Sequence, residues 1–198
     1  MVAAVERRDA AVGTRVVLLG APGSGKGTQA QLLAARLGVP TISTGEILRQ
    51  AVVAGSDLGR RVQAVMAAGQ LVDDALMAEV VRERLAEDDA RSGFLLDGYP
   101  RTLAQATALD AMLAARGDAI DCVVYIVVPE EVLVQRVVAR RRADDREDVV
   151  RERLRVYRED TEPLVTLYRE RGSLREVDGD RTVPEVEAQI LEALALEV

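Results

Sequence analysis

Short apolar runs alternate along this chain with longer stretches in which apolar residues recur every three or four positions. The runs at 16–19, 39–42, 94–96, 123–128 and about 174–177 have the length and β-branched content of buried strands. Leu32, Leu33 and Leu37 mark a first helix, and the stretches 76–85, 103–113 and 132–138 keep the same spacing. From Val150 through Leu154, Tyr157, Thr161, Leu164 and Val165 to Tyr168, helical spacing persists over many turns. A last helix is expected to begin near Val183-Pro184, where the donor that proline lacks is not needed. Strands alternating with helices predict an α/β fold with a parallel sheet covered on both faces. Ligands of such sheets gather outside the carboxyl ends of the strands.

Polar residues with chemical potential fall at those ends. The first run, Val16-Val17-Leu18-Leu19, leads into Gly20-Ala-Pro-Gly-Ser-Gly-Lys-Gly-Thr28, and a helical pattern follows. Strand, glycine loop and helix together form a phosphate cradle: backbone N–H groups and the helix N-terminus face the anion, and a lysine reaches the outer phosphates. Lys26 is the only lysine of the chain; the other 25 basic residues are arginines. Gly23, Ser24, Gly25, Lys26, Gly27 and Thr28 are therefore the expected triphosphate-binding set, with the Thr28 hydroxyl near Mg²⁺. Gly27 separates the lysine from Thr28, where a hydroxyl residue more often follows directly, which points to a subgroup of such loops.

A chain of 198 residues suits one domain with a sizeable core. A net charge of −7 argues against a nucleic-acid partner, whose phosphates call for a basic face. No apolar stretch approaches the roughly 18 residues of a membrane span. Residues 1–14 carry Glu6, Arg7, Arg8 and Asp9, so they read as a loose extension, not a secretory signal. The single Cys122 excludes an internal disulfide and fits a reducing cytoplasm. With no histidine and one cysteine, no structural zinc is expected, and a histidine base is excluded.

Asp97 ends the apolar run Phe94-Leu95-Leu96 and is placed to hold Mg²⁺ through water, although an Asp also serves as an ordinary turn cap. Gly98-Tyr99-Pro100-Arg101 then turns sharply into a guanidinium able to grip an oxyanion. A third cluster contains Arg136, Arg140, Arg141, Arg142, Asp144, Asp145, Arg146, Arg151 and Arg153. Charge runs are usually solvated faces. Arg136 and Arg140, however, lie one helical turn apart, and such neighbours repel unless an anion sits between them. A short mobile lid, latched by the acidic pair, is the reading that follows. No side chain resembles a nucleophile or a general base. Phosphoryl transfer to an alcohol usually needs a carboxylate base, whereas a phosphate acceptor is already ionised, so the arginine-rich pattern favours phosphate.

On these residues the chain resembles the adenylate kinase family, from Val16 to the C-terminus. The glycine loop is similar, Gly27 included, and Gly93-Phe-Leu-Leu-Asp-Gly-Tyr-Pro-Arg-Thr102 followed by Gln105 carries the most specific likeness. The resemblance implies a Rossmann-like P-loop core, Mg²⁺-dependent exchange of a phosphoryl group between ATP and AMP to give two ADP, and a cytoplasmic monomer. It implies a core of 15–43, 73–135 and 147–198, an AMP-binding segment at 44–72 and a short lid at 136–146. Thr44, Arg49, Gln70, Leu71, Val72, Gly98, Tyr99, Pro100, Arg101, Gln105, Arg142 and Arg153 would then bind AMP. Arg136, Arg140 and Arg181 would join the glycine loop on ATP. Lys26, Arg101, Arg136, Arg140, Arg142 and Arg153 would stabilise the transferred group. Two positions depart from the common pattern: Glu46 stands where Asp is usual, and Asp73 where Pro often follows the Leu-Val pair.

Rival readings stay open at this level. UMP/CMP kinases share the glycine loop and short lid, but they tend to carry Ala and Asn where this chain has Thr44 and Thr102. A nucleotide-binding switch without turnover would need the glycine loop but no second arginine site. A small-molecule alcohol kinase is disfavoured by the missing base.

Overall fold

The computed structural model describes residues 14–140 and 146–194, with Arg140 described by its backbone alone. The expected extension at 1–14 therefore lies outside the described residues apart from Thr14, as do Arg142 and the Asp144-Asp145 pair. The five apolar runs become β1 (Arg15–Leu19), β2 (Thr41–Ser43), β3 (Phe94–Asp97), β4 (Cys122–Val127) and β5 (Leu174–Asp178). All pair in parallel, in the order β2-β3-β1-β4-β5. The connections carry α1 (Lys26–Leu37), α2 (Thr44–Val53), α3 (Asp57–Ala67), α4 (Asp74–Leu85), α5 (Leu103–Ala114), α6 (Glu130–Arg140), α7 (Glu147–Val156) and α8 (Pro163–Glu170); α9 (Val183–Ala193) follows β5.

The period of two along each strand divides the core. Val17 and Leu19 face one side with Phe94, Leu96 and Val123; Val16 and Leu18 face the other with Leu95, Val124 and Ile126. The first side is covered by Leu48, Val62, Val81, Leu109 and Leu164 of α2, α3, α4, α5 and α8. Leu33 of α1 and Val186, Ile190 and Leu191 of α9 cover the second. A sheet buried on both faces needs continuous apolar strands, and the sequence supplies them. Each fully buried side chain such as Leu109 or Ile190 contributes about 1.5–3 kcal/mol by leaving water. A smaller cluster, Ala21, Leu133, Val137, Val150 and Leu154, holds α6 and α7 against the glycine loop.

Two local expectations are corrected, and one stretch gains helices that were not foreseen. The second strand begins at Thr41, not Val39, because the Val39 N–H donates to Ala34 O and so still closes α1. The long helical stretch from Val150 to Tyr168 is two helices with a π-helical turn, Tyr157–Thr161, between them. Pro163 has no N–H to offer the preceding turn, and Glu162 N–H donates instead to Tyr157 O at 2.9 Å. The segment 44–72 contains two helices, α2 and α3, that the apolar pattern did not single out. Their junction is tight: a Cβ on Gly59 would lie 2.0 Å from Ala51 O, so only glycine lets the two helices approach.

Candidate active site

The carboxyl ends of the strands open into a cleft of about 800 Å³. Its floor starts with the loop after β1. Gly25 takes a left-handed conformation (φ 96°) and caps α1, whose first turn carries no acidic residue. The helix therefore offers its positive end to an anion with no carboxylate of its own first turn in competition. Lys26 Nζ donates to Gly20 O at 2.7 Å, Ala21 O at 2.9 Å and Ser24 Oγ at 3.4 Å. The ammonium thus lies folded over its own loop, at the spot where phosphate oxygens would replace the carbonyls. Arg136, on α6, reaches across to Gly179 O at 2.9 Å and Asp180 Oδ1 at 3.4 Å. Arg181 also lines the cleft and donates to Asp178 Oδ2 at 2.7 Å, which raises its pKa and lowers that of Asp178.

Arg49, Arg101 and Arg153 line the opposite half of the same cleft. Arg49 is held by Glu46 at 2.9 Å. Burial pushes the Arg101 guanidinium down from its usual range, the neighbouring Arg153 and Arg49 add to this, and Asp97 opposes it. Three cations crowded in this way are poised to accept an anion. The turn after β3 fixes their centre: Gly98 O accepts from Arg101 Nε and from Thr44 Oγ1, both at 2.8 Å. Gly98 itself sits at φ +83°, and a Cβ there would come within 3.0 Å of both Arg101 Nη2 and Thr44 Oγ1.

Between the two halves stands Asp97, whose Oδ2 accepts from Ser43 Oγ at 3.2 Å. A Cβ on Gly27 would come 3.6 Å from that oxygen, so the carboxylate faces the start of α1. Among the described residues no group of three or more His, Cys, Asp or Glu side chains converges as a metal cage. One carboxylate beside a phosphate cradle suits Mg²⁺, which keeps its waters and takes phosphate oxygens as ligands.

Thr44 and Gln105 are nearly fully buried yet line the cleft. Gln70, Leu71, Val72 and Pro100 line it as well. Gln70 Nε2 donates to Glu152 Oε1 on α7, which brings the C-terminal end of segment 44–72 against the helix that carries Arg153. Tyr99 differs: its ring packs in the core and its hydroxyl donates to Gln105 O at 3.2 Å, so its side chain stands away from the cleft. Arg142 and the side chain of Arg140 lie outside the described residues. Sequence reasoning missed Asp74, Thr161, Gln29 and Glu152. Thr161 Oγ1 donates to Arg101 O at 2.9 Å, and Gln29 Nε2 to Val183 O at 2.9 Å. These pairs are separated by 60 and 154 residues, so no local spacing signals them.

Residues 18–173 match the family described as adenylate kinase. The chain belongs to the adenylate kinase family. It is 51% identical to an adenylate kinase of Thermobifida fusca (strain YX) over 184 residues, 91% of this chain and 97% of the relative. An adenylate kinase of Stenotrophomonas maltophilia (strain R551-3) is 49% identical over 91% of this chain and 98% of its own length. One of Moorella thermoacetica (strain ATCC 39073 / JCM 9320) is 43% identical over the same share of this chain and 97% of its own. Among the described residues no helix is long and apolar enough to cross a membrane.

Proposed function

We propose that this chain catalyses the reversible reaction of ATP and AMP to two ADP, with the two halves of the cleft as donor and acceptor sites. What supports this reading is one cleft lined by two sets of cations, Lys26, Arg136 and Arg181 with the glycine loop and Arg49, Arg101 and Arg153 near the turn after β3, with Asp97 close to both Gly27 and Arg101. A phosphate oxygen of AMP attacks the γ-phosphorus of ATP in line, the bond to the β-phosphate oxygen breaks, and ADP leaves. No proton needs removal, in keeping with a cleft that has no histidine and no assigned general base. Lys26 and the arginines neutralise the charge that spreads over the transferred group. Mg²⁺ bound with ATP would supply positive charge for the phosphates, and Asp97 and the Thr28 hydroxyl, which both line the cleft, are the oxygen groups assigned to its water shell.

Arg136, Arg140 and Arg181 are assigned to ATP with residues Gly23 to Thr28. Thr44, Arg49, Gln70, Leu71, Val72, Gly98, Pro100, Arg101, Gln105, Arg142 and Arg153 are assigned to AMP. Closure of segments 44–72 and 136–146 over a monomeric core would exclude water and align the reactants. A reducing cytoplasm suits the single, buried cysteine. The decisive experiment supplies ATP with Mg²⁺ and adds AMP, CMP, UMP or GMP in turn, measuring ADP. Formation of ADP with AMP alone, or AMP far ahead of the others, is expected. Hydrolysis without any monophosphate would refute the assignment of the second site.

A further inference from the structure

Gln105 is held by protein partners on both ends of its amide. Its Oε1 accepts from the Arg101 backbone N–H at 2.8 Å, and its Nε2 donates to Asp74 Oδ1 at 2.7 Å. A backbone N–H can only donate and an ionised carboxylate can only accept, so these partners fix which end of the amide is oxygen and which is nitrogen. Asp74 is fixed in turn. Thr102 Oγ1 donates to its two oxygens at 3.1 and 3.0 Å, while accepting the Gln105 N–H at 3.1 Å as the cap of α5. The first turn of α4 is thereby tied to the first turn of α5, beneath the half of the cleft that holds Arg101. Asp74 is not among the residues that line the cleft, whereas Gln105 is.

The geometry points to Asp74 as a positioning residue that sets the base specificity of the monophosphate site by locking the Gln105 amide. An amide nitrogen carries two protons; Asp74 takes one, and the other remains for the cleft. A locked donor suits a ring nitrogen with a lone pair, as at N1 of adenine, and opposes a ring N–H, as at N1 of hypoxanthine or guanine. Without the carboxylate the amide keeps only the Arg101 N–H as its anchor and can turn its donor out of place. This inference rests on the placement of the monophosphate base against Gln105 in the proposed function.

The test compares AMP with IMP as acceptor in the full-length chain, for Asp74→Ala and Asp74→Asn beside the unaltered protein. Asp74→Ala is expected to raise KM for AMP and to cut the AMP-over-IMP ratio of kcat/KM about tenfold, the effect of one lost hydrogen bond. KM for ATP should stay near its original value, since Asp74 does not line the cleft and its hydrogen bonds go to Thr102 and Gln105. Asp74→Asn keeps an oxygen able to accept from Nε2, so it should restore most of the ratio. A purely structural role would lower melting temperature in both variants without moving the ratio. Should the alanine variant fold poorly, Asp74→Ser supplies a helix-compatible residue too short to reach Nε2, with the same expected loss. An unchanged ratio in the folded alanine or serine variant overturns the inference. Gln105→Leu separates this from failure of the underlying reading: if it too leaves AMP kinetics and the ratio unchanged, the base does not sit against Gln105 and both ideas fall.

Discussion

Replacing Gly98 by alanine tests the monophosphate half of the cleft through one methyl group. Gly98 sits at φ +83°, a left-handed conformation that costs an L-residue roughly 1–2 kcal/mol. The new Cβ would also come within 3.0 Å of Thr44 Oγ1 and of Arg101 Nη2, so each must give by a few tenths of an ångström. Both groups are anchored to Gly98 O, Thr44 through Oγ1 and Arg101 through Nε, and the longer arginine side chain has the more torsions with which to give way. A total cost of about 2 kcal/mol lowers the melting temperature of a chain this size by about 4–8 °C. The functional effect should be lopsided: KM for AMP rises about tenfold or more, while KM for ATP changes less than about twofold. Calorimetry and a coupled assay with each substrate varied in turn would read both. If melting temperature falls as expected but KM for AMP is unaltered, Arg101 does not hold the monophosphate. If melting temperature is also unaltered, the argument from the left-handed turn is wrong.

Lys26→Met should lower kcat by about 10²-fold or more, as expected for loss of a charge at the transferred group. Its melting temperature should barely change, because the lysine packs mainly on its own loop; near-normal turnover would remove Lys26 from the site. Thr44 Oγ1 already donates its proton to Gly98 O, so its lone pairs are left to accept from an exocyclic amine. Thr44→Ala is thus expected to reduce the preference for AMP over UMP about tenfold, and an unchanged ratio would refute that role. Burial pushes the Tyr99 hydroxyl up to about 12, with the nearby Asp74 adding to it, and burial raises Tyr157 and Tyr168 as well. Stability from a phenol raised in this way is whole below its ordinary pKa of 10.0 and is lost as pH climbs toward 12. Melting curves from neutral to strongly alkaline pH should therefore fall steeply above about pH 10, and Tyr99→Phe should soften the fall; a flat profile would contradict the burial argument.

The strands were legible because a two-sided sheet needs unbroken apolar runs, and Val16 to Leu19 or Val123 to Ile126 can serve little else. Their order was not legible, since pairing depends on crossovers that leave no mark in composition. Most of the cleft was readable too, as Asp97 ends β3, Arg101 follows it in the next turn, and Gly25 and Lys26 close the loop after β1, where parallel topology sends loops to one rim. Helices α2 and α3 went unread because each sends few side chains, such as Leu48 and Val62, fully into the core, and the two pack closely on each other. Tyr99 was placed with its motif neighbours in the cleft, yet its ring turns inward; adjacency in sequence does not settle which side of a turn a side chain takes. Asp74 escaped notice for a different reason. Its partners, Thr102 and Gln105, lie 28 and 31 residues away and meet it only when α4 packs on α5.

The solitary lysine has an experimental use. Every other basic side chain is a guanidinium, inert to reagents that methylate or acylate amines, so such chemistry meets one side-chain target, at the base of the phosphate loop. Isotope-labelled methyl groups on that nitrogen, told apart from those on the chain's α-amino group, would give a lone resonance that shifts as the ammonium lets go of the Gly20 and Ala21 carbonyls for a bound polyphosphate.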